Sequence, residues 1–209
     1  MALRELDYQG RVLAQLDDYL GELATQKTYA DKVQQAIEAQ PDLAPHIELP
    51  DFPAKTWQAL RAAGKLPASR AAVPYSPRTD GAGRAVPNVV FKVPTGGGKT
   101  FLAVAALANI FGRYLGRQRG FVLWIVPNEA IYTQTKKQLA DRQHPYRQML
   151  DVLSGQRVRI LEKDDPLSAC DVEEHLCVML LMLQSSNRAN KDSLRMFRDR
   201  GDVHGFFPD

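Results

Sequence analysis

The sequence predicts an α/β fold with a mostly parallel sheet, preceded by a small helical region, and three observations carry that prediction. Short apolar runs with almost no alternation, VVFKV (residues 89–93) and FVLWIV (121–126), have the pattern of strands buried on both faces. Helical segments separate and follow them, the spacing of βαβ crossovers in a layered domain. A turn of three glycines followed by Lys-Thr, in VPTGGGKT (93–100), lies between the first run and an alanine-rich helix.

The elements follow in order along the chain. Apolar residues Leu6, Val12, Leu13, Leu16, Tyr19, Leu20 and Leu23 recur near a period of 3.6 and predict a helix over 3–23. Tyr29, Val33, Ala36 and Ile37 predict a second over 28–40, and Pro53 and Gly64 bracket a short third one. Residues 67–86 are rich in Pro, Gly, Ser and Arg without periodicity, so they read as a linker. This divides the chain into a helical region (1–66), a linker (67–86) and an α/β domain (87–209). In the last part, helices are expected over 99–111, stopped by Gly112, and over 129–139. RVRIL (157–161) and CVMLLML (177–183) supply two further strands.

Composition limits the function. An apolar fraction of 44% suits a globular protein rather than a disordered one. No apolar run approaches the ~20 residues of a spanning helix, and the N-terminus lacks the apolar core of a signal peptide, which predicts a soluble cytoplasmic protein without a membrane partner. Two cysteines and four histidines, with no Cys-x-x-Cys, make neither a disulfide framework nor a zinc site. The net charge of +3 is small. Basic clusters at 112–119 and 135–148 suit either nucleic acid or solvated helix faces.

The glycine turn carries the chemistry. Gly96, Gly97 and Gly98 let the backbone curl with its N–H groups inward and let phosphates approach without a Cβ in the way, and Thr95, Gly96, Gly97 and Gly98 supply the backbone donors. The following helix start adds free donors and positive dipole. Lys99 can reach the β and γ phosphates and Thr100 can take a place on Mg²⁺, so the expected ligands are ATP and Mg²⁺. Val93 stands where the strict phosphate-loop pattern has glycine.

That departure resembles motif I of superfamily 2 helicases and translocases of the DEAD/DEAH-box kind. The segment IVPNEAIYTQTKKQL is similar to their motif Ia, with Pro127, Ile131 and Gln134 matching. LDYQGRVLAQL resembles the Q-motif, whose Tyr-Gln lies against adenine, which makes Tyr8 and Gln9 the matching positions. LQSSNR resembles a later segment that touches the nucleic-acid backbone, through Gln184 and Ser185. The whole is similar to the helicase-type Res subunit of type III restriction enzymes. The resemblance implies a partial RecA-like domain, ATP-dependent helicase or translocase activity of restriction or phage-defence type, and duplex DNA as a partner. It also implies association with the remainder of the motor or with a methyltransferase or specificity subunit. Such a motor must hold its track by phosphates, and Pro127, Asn128, Gln184 and Ser185 at strand ends and helix starts suit that task.

Hydrolysis needs more than a cradle: an acidic group on Mg²⁺, a carboxylate to orient water and an arginine for the transition state. In the resembled family the first two are Asp-Glu at the end of a buried strand. Here no such pair follows an apolar strand, and CDVEEHL (170–176) precedes one, so it reads as a surface turn or helix start. The expectation is an N-terminal segment of a longer protein, or a truncated product with a partner, inactive alone. Alternatives are a stand-alone phosphate-loop nucleotidase or kinase, and a non-catalytic regulatory module.

Overall fold

The computed structural model describes residues 6–40, 42 and 46–182. These described residues fall into two compact units, one within 6–97 with 113–115, the other of 98–112 with 116–182.

The first unit is built on one helix, α1 (Asp7–Ala39), where the periodicity predicts two. Nothing in ATQKT (24–28) breaks a helix, and its two threonines satisfy their hydroxyls along it: Thr25 on the Gly21 carbonyl at 3.1 Å, Thr28 on the Ala24 carbonyl at 2.8 Å. The pairs Gln26–Glu22 and Lys27–Asp31, each four residues apart, carry the helix across the junction. Pro41 follows its end. Helix α2 (Phe52–Ala62) starts at Asp51, whose carboxylate accepts from Ala54 N at 2.9 Å, with proline in its first turn. Leu16, Leu20 and Leu23 of α1 are buried, as are Pro53, Thr56 and Leu60 of α2, and the two helices pack together. Each such leucine contributes about 2 kcal/mol of burial. A single turn, α3 (Ala68–Ala71), and an antiparallel bridge between Thr79 and Ala85 lie in the segment expected to be a linker.

Residues 89–93 correct the sequence prediction. They form no strand, and no described strand pairs with them. Val90 is 78% exposed, while Val89 and Phe91 line a cavity of about 330 Å³ with Tyr19, Trp57 and Tyr75. β-propensity expresses fit to neighbouring strands, so an apolar run without a ladder partner does not become a strand by itself.

The second unit opens with α4 (Lys99–Asn109), which runs into a wider helical turn, Ile110–Leu115, ended by Gly116 in the left-handed region. Then come β1 (Gly120–Val126), α5 (Glu129–Ala140), α6 (Pro145–Ser154), β2 (Val158–Leu161), α7 (Ala169–Glu174) and β3 (Leu176–Met182). The three strands form a parallel sheet in the order β1-β3-β2. Central β3 is buried from Leu176 to Leu180, which explains its unbroken apolar run. On one sheet face Leu176 and Val178 join Val104, Phe111, Leu139 and Leu150, and on the other Cys177 and Met179 join Leu161 and Leu167. The acidic CDVEEHL segment forms the short α7, capped by Ser168, and precedes β3 as expected.

Leu150, fully buried on α6, tests that core. Leu150→Ala keeps helix propensity but leaves a cavity, so stability should fall by about 2–5 kcal/mol. The urea midpoint should drop with an unchanged slope.

Candidate functional site

The glycine turn is shaped by three separate demands on its backbone. Gly97 N donates to Pro94 O at 3.1 Å, closing a turn over Pro94 to Gly97. Gly96 (φ +77°) and Gly98 (φ +71°) occupy the left-handed region that favours glycine. At Gly97 the demand is space. A Cβ there would stand 2.8 Å from Val93 Cγ1, 2.9 Å from Tyr8 Oη and 3.0 Å from Pro94 O. Val93, the departure from the strict pattern, is thus a packing neighbour of the loop.

Gly98 has no side chain with which to cap α4, and Lys99 and Thr100 occupy the first turn of that helix. Buried Phe101, Leu102, Val104 and Ala105 anchor α4 from below, and Val104 lies in the sheet core. A glycine cradle with no room for a Cβ at Gly97, followed by lysine and a hydroxyl at a helix start, fits the triphosphate of a nucleotide. For Mg²⁺ the chain offers the Thr100 hydroxyl, and no cluster of three His, Cys, Asp or Glu is present among the described residues. That donor set suits Mg²⁺, an ion that keeps several waters and takes phosphate oxygens.

Tyr8 and Gln9 lie in the first turn of α1 and meet the loop at one atom. The Tyr8 hydroxyl donates to the Gly97 carbonyl, and Gln9 Nε2 donates to the same oxygen at 3.1 Å and to Tyr8 Oη at 3.3 Å. Gln9 Oε1 accepts from Leu6 N at 2.9 Å, closing the N-terminal end of α1. Gln9 is only 5% exposed.

Pro127 and Asn128 follow β1 at the carboxyl end of the sheet, where parallel α/β sheets place their ligands. Both are exposed, and Asn128 caps α5 by accepting from Ile131 N at 3.0 Å. Ile131 and Gln134 are exposed on α5. β3 ends at Met182, in register with Val126. Gln184 and Ser185 lie outside the described residues.

The basic cluster at 135–148 divides by role. Arg147 is buried, pairs with Asp151 at 2.9 Å and donates to the carbonyls of Leu139 and Val158, so its charge is spent on packing. Lys136 pairs with Glu162, which also accepts from Tyr132 at 2.8 Å. These bonds, from Lys136 first, hold the Glu162 carboxyl below its usual range. Lys137 and Arg142 are exposed and leave their charge to solvent or ligand. Charge content alone did not separate these residues, because only the fold shows which cations face a carboxylate.

A glycine loop ending in Lys-Thr at a helix start, in a chain that also forms a parallel sheet, defines the phosphate-loop class of α/β proteins. Within that class the chain belongs to the type III restriction enzyme res subunit family, which it matches over residues 24–203. The family is helicase-type with a RecA-like fold, in agreement with the parallel sheet, and the N-terminal region is helical. Membership supports a helicase-like ATP-binding role, and nucleic-acid interaction is a property of the family. Neither a curated protein nor a solved structure matches the chain. Among the described residues no helix is long and apolar enough to cross a membrane.

Proposed function

We propose that this chain is the Mg-ATP-binding portion of an ATP-dependent DNA translocase or helicase of restriction or phage-defence type, acting in the cytoplasm. The observation that carries the reading is the loop itself: two left-handed glycines flank a third with no space for a side chain, directly before Lys99 and Thr100. Thr95 to Gly98 supply backbone donors, Lys99 holds the β and γ phosphates, and Thr100 contributes its hydroxyl to Mg²⁺. The bound ion would neutralise phosphate charge and orient the terminal phosphoryl group. Pro127, Asn128, Gln184 and Ser185 contact the phosphate backbone of duplex DNA, with exposed Lys137 and Arg142 adding charge. Turnover draws on an Asp-Glu pair and an arginine from a further domain or a partner subunit, such as the remainder of the motor or a methyltransferase or specificity subunit.

The test is a titration of the 209-residue chain with Mg-ATP, joined to duplex-DNA binding at several salt concentrations. Saturable Mg-ATP binding is expected, with DNA affinity falling log-linearly as salt rises and little turnover by the chain alone. No binding of Mg-ATP at millimolar concentration would remove the reading, and robust turnover would favour a self-sufficient nucleotidase.

A further inference from the structure

Tyr8 and Gln9 spend their polar atoms on the loop. A glutamine carboxamide has two donor hydrogens on Nε2 and an acceptor oxygen. Here the donors go to the Gly97 carbonyl and to Tyr8 Oη, while Oε1 takes Leu6 N. The opposite amide orientation would set oxygen against the Gly97 carbonyl and donor against donor at Leu6, so the network itself fixes which end is nitrogen. Reading the edge of adenine takes a donor and an acceptor from the same carboxamide. In this arrangement Gln9 has no donor left for a base.

What the two side chains control is a peptide plane. All peptide bonds among the described residues are trans. In a planar trans peptide the carbonyl and the next N–H point in opposite directions, so holding the Gly97 oxygen sets the direction of the Gly98 N–H. That amide belongs to the residue immediately before α4, where phosphate-loop donors are required.

We propose, resting on the nucleotide-binding reading above, that Tyr8 and Gln9 are positioning residues for the phosphate loop, acting on the triphosphate through the Gly97–Gly98 peptide rather than on the base. Their contribution is then the same for every ligand that carries a triphosphate, whatever base is attached.

The experiment compares wild type, Tyr8→Phe and Gln9→Glu in calorimetric titrations with Mg-ATP, Mg-GTP and inorganic tripolyphosphate with Mg²⁺. Tyr8→Phe keeps the ring and removes one donor. Gln9→Glu keeps the acceptor for Leu6 N while removing the donors, which protects the start of α1. Both variants should weaken all three ligands by a common factor, about 3- to 10-fold for Tyr8→Phe and more for Gln9→Glu, with the ATP-to-GTP ratio unchanged. A general loss of structure would lower the melting temperature and the number of binding sites instead, so both are recorded. Weakened ATP with unchanged GTP and tripolyphosphate would overturn the inference in favour of base reading. Unchanged affinity for all three would overturn it as well. If wild type binds none of the three, the nucleotide-binding reading itself fails, an outcome distinct from either.

Discussion

Replacing Lys99 by alanine should reduce Mg-ATP affinity by about two to four orders of magnitude. The estimate takes two charge-assisted hydrogen bonds from the ammonium to phosphate oxygens, each contributing about 1.5–3 kcal/mol, against ~1.4 kcal/mol per tenfold. The fold itself should survive the change. Lys99 is an exposed residue at the first position of α4, and alanine is the best helix former, so the helix should persist in the variant. Calorimetric titration beside circular dichroism separates the two effects. Lys99→Arg adds a further arm, because it keeps the charge but puts a planar fork where a compact point charge is required, and it should rescue only part of the affinity. Near-wild-type affinity in Lys99→Ala would mean that the phosphates do not lie at this loop, whatever the glycines suggest.

The loop was legible in sequence because its demands are local. Left-handed backbone at Gly96 and Gly98 is a property of two residues, and glycine there announces it. The parallel sheet was legible for the same reason in β1, β2 and β3, whose apolar runs lie close to the predicted ranges. Residues 89–93 show where that logic stops. VVFKV has the composition of a buried strand, yet a ladder needs a second strand, and composition does not say whether one is within reach.

Other features were hidden by reading one property at a time. Residues 145–154 sit in a segment that reads as a basic cluster, but they fold as α6, with Pro145 at the start, Gly155 in the left-handed region at the end, and Tyr146, Met149 and Leu153 packed on the core beside buried Leu150. Those signals were present in the sequence, and charge content masked them. The contact of Gln9 with Gly97, 88 residues away, had no local signal at all. Motif resemblance pointed to Tyr8 and Gln9 as neighbours of adenine and gave no sign of their bonds to the Gly97 carbonyl. Val93 is the reverse case: a mismatch to the phosphate-loop pattern turned out to be a close neighbour of Gly97.

Gly97→Ala should be the second severe substitution, and for a different reason from Lys99→Ala. Its Cβ would meet Val93 Cγ1, Tyr8 Oη and Pro94 O at 2.8, 2.9 and 3.0 Å, and the last of these is backbone, which cannot swing aside as a side chain can. Relief requires the loop to move, which breaks the bonds of Tyr8 and Gln9 to the Gly97 carbonyl and the turn to Pro94. The expected result is a stability loss of about 1–3 kcal/mol from overpacking. Mg-ATP affinity should fall at least about tenfold, since each lost or misdirected donor is worth about 1.5–3 kcal/mol toward a charged phosphate. The double variant Gly97→Ala with Val93→Ala identifies the cause. Removing Val93 Cγ1 takes away the nearest of the three contacts and leaves the other two, so affinity should recover in part. The two substitutions should therefore couple favourably in a double-mutant cycle, by roughly 0.5–3 kcal/mol as neighbours in contact do. Additive losses would mean that Val93 and Gly97 act independently, and the loop packed against Val93 would not be the state that binds nucleotide.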